Sequence, residues 1–145
     1  MSIRNVYMAS LIYSILIVSG IGLVSWLVKV DIWMYVFLLA TLMLILAREY
    51  ANVTYTLLIF LQVSHKNLGR KVIYEIKSKA DATSGYFTWV AIGIMVLSVL
   101  LHVKNNLPMS SPFNGGVVAA FVGFSIFLEI YSIRFTKLAI VTLLR

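Results

Sequence analysis

The sequence predicts an all-α, polytopic membrane protein: a four-transmembrane-helix bundle with helices two and four extended on the cytoplasmic side. Three observations lead there. Of 145 residues, 61% are hydrophobic and only 12% charged, with a mean hydropathy of +0.98, which is too apolar to clothe a soluble domain in a hydrated surface. Four runs come close to the roughly 20 apolar residues that a helix needs to cross a bilayer core. Those runs are continuously apolar, without the period-two alternation of a spanning β-barrel.

The first run, Tyr7 to Val28, follows Arg4 as the apolar part of a signal peptide would. It exceeds the usual apolar region of about 7–15 residues and has no small-x-small cleavage site after it, so it reads as a retained first span. The second run starts at Ile32 after the polar break Lys29-Val30-Asp31, the third covers Tyr86 to Val103, and the fourth begins at Phe113. Between the last two lies "HVKNNLPMSSPFN", whose Pro108, Pro112 and asparagines stop helices. The chain is therefore one membrane domain, 1–145, with spans at about 7–28, 32–52, 86–103 and 113–133. A cytoplasmic extension and loop fill about 53–85, and a cytoplasmic tail covers 134–145.

Orientation follows from the basic residues. With the N-terminus inside, Arg4, Lys66, Arg70, Lys71, Lys77, Lys79, Arg134, Lys137 and Arg145 are cytoplasmic, and Lys29 and Lys104 are outside. Both termini are then cytoplasmic. Trp26 and Trp33 would lie at the outer interface, with Tyr7, Tyr86, Trp89 and Tyr131 toward the inner one. The formal charge of +7 serves anionic lipid head groups rather than nucleic acid, because the basic residues flank spans. The expected location is a cytoplasmic (inner) membrane of bacterial or archaeal type. Cysteine is absent, which removes disulfides, thiolate ligands and a cysteine nucleophile.

The second run continues past Arg48 to Val63, too long for one crossing. Two short crossings would need a turn that no Gly or Pro supplies and would move Lys66 to Lys79 outside; a single helix projecting from the membrane near Asn52 fits better. On a helical wheel its projecting half places Arg48, Asn52, Tyr55, Gln62 and Lys66 on one stripe, flanked by Glu49 and Thr56, with Tyr50, Val53, Leu57, Leu58, Phe60 and Leu61 opposite. That stripe is the candidate polar or pore-lining face. The following "LGRKVIYEIKSKADATSG" predicts a short cytoplasmic helix ending in turn formers, with a bend at Gly69.

Arg48 follows Ile32 by sixteen residues and Glu129 follows Phe113 by sixteen, so both lie about 24 Å deep. Equal depth predicts an interhelical ion pair between Arg48 and Glu129; the alternative is that both sit near the inner head groups, with Arg48 snorkelling. Asn52 and Gln62 either line a pore or join helices through their amides. His65 and His102 fall at opposite faces and read as interfacial residues rather than shared metal ligands. Ser19, Gly22 and Ser25 on helix one, and Gly116, Ala120 and Gly123 on helix four, form small-residue stripes that allow close packing.

No nucleophile elbow, His-Glu-x-x-His, phosphate loop or paired carboxylates on one helix face occurs, and no cofactor or metal is expected. The Arg48-x-x-x-Asn52 spacing is similar to a signature of small four-helix, glutathione-using membrane enzymes. The likeness ends at those two residues: Tyr55 stands where that family has an acid, and its long polar loop after helix one is absent. The expected function is therefore a non-enzymatic membrane assembly, homo-oligomeric, with a pore or channel lined by helix two. The competing readings are an accessory or immunity-type subunit bound to another membrane protein, and a small transporter or flippase.

Overall fold

The computed structural model describes residues 3–64, 70–104 and 112–143, and the side chains of 4–59, 73–104 and 114–138. Four helices make up the fold: α1 (Ile3–Leu27), α2 (Ile32–Ser64), α3 (Arg70–Lys104) and α4 (Pro112–Leu143). All four are long and apolar enough to cross a membrane, the coarse architecture that the apolar runs predict. The apolar run beginning at Ile32 is one unbroken helix of 33 residues, which excludes the two-crossing alternative. At 1.5 Å per residue, α2, α3 and α4 are each about 50 Å long, against a hydrocarbon core of about 30 Å.

Two expectations are corrected in the middle of the chain. Segment 53–85 was expected as an extension and loop carrying a separate short helix, but its described residues are helical, and α3 runs from Arg70 through the third span to Lys104. The turn formers of "ADATSG" stay in the helix because their hydroxyls bond to carbonyl oxygens: Thr83 donates to Lys79, and Ser84 donates across to Ala47 at 2.8 Å. Trp33, expected at the outer interface, is only 3% exposed and belongs to the core. Trp26 is exposed, as an interfacial residue would be.

The α1–α2 turn shows why the first helix stops where it does. Lys29 takes φ = 56°, its N–H donates to the Trp26 carbonyl, and the Val30 N–H donates to the Ser25 carbonyl. These bonds form a Schellman cap, with lysine in the left-handed position usually given to glycine. The Asp31 backbone carbonyl then accepts the first helical hydrogen bond of α2, from the Tyr35 N–H at 3.0 Å.

Spatially, the order is not the chain order. Among the described residues α3 touches α2 alone, α2 also packs on α4, and α4 packs on α1; α1 meets α2 least. The row is α3, α2, α4, α1, with α1 also leaning on α2. In their most apolar windows α2 and α4 are 33% buried and α1 and α3 only 17%, as expected of two inner and two outer helices.

Packing explains this order. On α2, Trp33, Val36, Ala40, Met43, Ala47, Thr54 and Leu57 are buried at alternating steps of three and four, apart from one seven-residue step across half-buried Tyr50. On α3, Ala80, Ser84, Phe87, Ala91, Ile94, Ser98 and Leu101 repeat the same steps. Two such seams pack side by side in the manner of a coiled coil. Three contacts hold the antiparallel pair in one register: Asp31 Oδ2 to His102 Nδ1 at 3.1 Å, Ser84 to Ala47, and Lys77 Nζ at 5.3 Å from the centre of the Tyr55 ring.

Candidate functional site

Most buried hydroxyls are satisfied within their own helix. Ser10 Oγ donates to the Val6 carbonyl at 2.7 Å, Ser14 to Leu11 at 2.9 Å, Ser98 to Ile94 at 2.6 Å and Ser125 to Phe121 at 3.1 Å. Such bonds answer the hydroxyl proton without a partner helix, as an apolar surrounding requires. Glu129 is the exception that matters. It is 1% exposed, and neither carboxylate oxygen has a hydrogen-bond partner among the described residues. An unpartnered buried polar group costs about 1–3 kcal/mol, and more if charged. Ser25 Oγ and Trp33 Nε1 are also buried without a partner, but neither can carry a charge.

The placement of Glu129 follows from the buried stripe of α4, which runs through Gly115, Val122, Ser125, Ile126, Glu129 and Ile130. Ser125 is four residues earlier, hence on the same face one turn away. Two sets of contacts fix the level of Glu129 against antiparallel α1. Tyr7 stands edge-on to Phe127 and Tyr131, with ring centres at 5.4 and 6.0 Å, while Val18 lies against Gly123. The stretch of α1 beside Glu129 therefore lies between Tyr7 and Val18. Its buried polar residues are Ser10 and Ser14, which are 0% and 4% exposed. Because α1 packs on α4 and, to a lesser extent, on α2, these buried serines lie on the packed side of α1 at the level of Glu129.

From Ser14 the interior opens into a cleft of about 320 Å³ between α1, α2 and α4, lined by Ser14, Val18, Ser19, Tyr35, Ala119 and Gly123. Tyr35 donates its hydroxyl to the Val18 carbonyl at 3.1 Å and lies against Gly22, where an added Cβ would be in ordinary contact, 3.6 Å from that hydroxyl oxygen. A second cavity, of about 400 Å³ between α2 and α3, is lined by Phe37, Leu44, Ile92, Met95, Val96, Val99 and Leu100, all of them apolar.

The ion pair expected between Arg48 and Glu129 is not made within the chain. The depth count places a residue along its helix but says nothing of its direction around it. Glu129 lies on the buried stripe of α4, whereas Arg48 is on the outward side of α2. Glu49, Asn52, Tyr55 and Thr56 are likewise exposed, close to the line of Met34, Leu38 and Ile45 that α2 turns away from its neighbours. The stripe does not line the interior of this chain. The Gln62 side chain and Lys66 lie outside the described residues, as does His65.

Of the expected packing residues, Gly22 and Gly123 lie at ordinary contact distance from Tyr35 and Val18, and Ala120 lines the cleft. Gly116 is exposed, with open space where a Cβ would be. The tight contact belongs to its neighbour Gly115, where a Cβ would come within 2.7 Å of Ile32 Cγ1. At Gly116 the small-residue reading was one position out of phase, and each residue turns a helix by 100°. It also passed over Ser10 with Ser14, and Ser125 with Glu129. Each pair is four residues apart, a spacing that sets two polar groups on one stripe.

Among the described residues no group of three or more His, Asp or Glu side chains could hold a metal. What the sequence and fold define together is an all-helical chain with four membrane-spanning-capable helices, compatible with an integral membrane protein. No protein-family model, curated protein or solved structure matches this chain.

Proposed function

We propose that this chain is a non-enzymatic component of a membrane assembly, associating with further copies of itself through the outward face of α2. The observation that carries the reading is the position of Arg48, Asn52 and Tyr55 on the exposed side of α2, in line with residues that would otherwise meet lipid. Polar groups at such a depth are costly against hydrocarbon and are relieved by facing protein or water. Any pore lined by α2 then lies between copies. In this reading both termini are cytoplasmic, and the parts of α2, α3 and α4 beyond one bilayer thickness project into the cytoplasm, where Lys77, Lys79, Arg134 and Lys137 meet anionic head groups.

Light scattering of the detergent-extracted protein should give one discrete mass several times that of the chain. Arg48→Leu combined with Asn52→Leu should reduce it to the monomer, and Asn52→Lys should change the conductance of planar bilayers containing the wild-type complex. A monomer in mild detergent that conducts nothing would overturn the reading and favour an accessory subunit of a different membrane protein.

A specific observation favours a second reading, that of a small transporter. Glu129 is a buried carboxyl six residues along α4 from Gly123 of the hydroxyl-bearing α1–α2–α4 cleft, and ionisable residues inside membrane bundles serve ion and proton pathways in many carriers. Substrate-dependent thermal stabilisation of the purified protein would support this reading over the first.

A further inference from the structure

The geometry points to a binding site for a small monovalent cation between α1 and α4, formed by the carboxylate of Glu129 and the hydroxyl oxygens of Ser10, Ser14 and Ser125. The argument starts from the hydrogen atoms. A serine hydroxyl has one proton to donate and two lone pairs to offer. In Ser10, Ser14 and Ser125 that proton is already committed to the Val6, Leu11 and Phe121 carbonyls. The three oxygens therefore stand beside Glu129 as acceptors, and the carboxylate is an acceptor as well. This accounts for the isolation of Glu129 among polar neighbours: none has a proton left to give it.

An acceptor-only cluster is completed by a positive charge, and among the described residues no cation of the chain provides one here. Arg48 is exposed on the far side of α2, and the Arg134 guanidinium lies over the Tyr13 ring, 4.2 Å from its centre. Arg4 on α1, Glu49 on α2 and Lys137 on α4 are exposed as well, and the remaining titratable groups on the packed elements are phenols: Tyr7 and Tyr13 on α1, Tyr35, Tyr50 and Tyr55 on α2, and Tyr131 on α4. The charge of the ligand follows from the single carboxylate. A buried site is cheapest when it is neutral, so one negative charge suits a monovalent ion, whereas a divalent ion would leave a net charge in the membrane. All the donors are hard oxygens, which suit sodium rather than a soft metal. Ser14 also lines the cleft, so an ion can reach the cluster from there without unpacking the α4 core.

This inference rests on neither functional reading above, and the oligomeric state does not enter its test. The full-length protein in detergent is treated with an apolar carbodiimide at fixed pH, and Glu129 modification is followed by mass spectrometry in sodium chloride and in choline chloride of equal ionic strength. At ten times its half-protecting concentration, sodium should slow modification about tenfold by mass action, while choline leaves the rate unchanged. Ser10→Ala with Ser14→Ala should raise the half-protecting concentration about tenfold or more, the scale on which metal sites respond to lost supporting groups. Those hydroxyls bond only within their own helix, so the double variant should keep the wild-type rate in choline. Equal rates in the two salts, or a rate that varies with pH but not with sodium, would mean that Glu129 holds a proton alone and would overturn the site. Sodium protection unaltered by the serine substitutions would overturn the ligand set.

Discussion

The two helix pairs α2–α3 and α1–α4 resolve the same problem in different ways. Along α2–α3 two seams of regular spacing meet, small residues such as Ala40, Ala47, Ala80 and Ala91 let the backbones close, and the interhelical polar contacts are made at both ends and the middle. Along α1–α4 the rings of Tyr7, Phe127 and Tyr131 secure one level, and beside them a carboxyl is buried without a partner. Side chains that pack well in lipid gain mainly dispersion and hydrogen bonding, since the lipid tails are as apolar as the core. An unanswered carboxyl therefore has no hydrophobic compensation, so α1–α4 carries a cost that α2–α3 does not.

The comparison can be broken or sharpened by substitution, with stability read as the unfolding midpoint in mixed detergent–SDS micelles in choline chloride. The largest effect is expected from Ala47→Leu, which forces a bulky side chain into a fully buried seam position facing α3 and should destabilise by about 3 kcal/mol. Glu129→Leu should do the opposite. Replacing the unpartnered carboxyl by an apolar group of similar volume should raise stability by about 2 kcal/mol, and a loss instead would mean that Glu129 is satisfied in the native bundle. Lys29→Gly, which removes the steric cost of the left-handed cap, should stabilise by about 1 kcal/mol without altering either pair. Ser84→Ala should cost about 0.6 kcal/mol, the usual value of an interhelical hydrogen bond in a membrane protein, and its effect should be confined to α2–α3.

The spans themselves were legible, because about 20 consecutive apolar residues leave little choice of structure in lipid. What depended on direction around a helix axis was not. Arg48 and Glu129 follow the starts of their apolar runs by the same count, yet one is exposed and the other buried; Gly115 and Gly116 are adjacent, yet only the former meets Ile32. A continuously apolar helix carries almost no signal about which side faces protein, since lipid accepts the same side chains as the core. The residues around Glu129 were legible in principle from the four-residue spacing of the serines. The continuity of α3 was not, because the Ser84 bond to Ala47 that helps hold "ATSG" in the helix comes from a residue far away in sequence.

The position of α4 between α1 and α2 has a consequence for synthesis. During synthesis α1 emerges well before its main neighbour α4, and until then it has little to pack on, since it shares little surface with α2 and, among the described residues, none with α3. Contacts between distant parts of a chain form late, and elements inserted early must wait for them. During that interval Ser10 and Ser14 lack the α4 surface they are buried against, while the α2–α3 hairpin has all it needs to fold. The surroundings of Glu129 are therefore completed only once α4 has emerged, whereas α2 and α3 can pair before it.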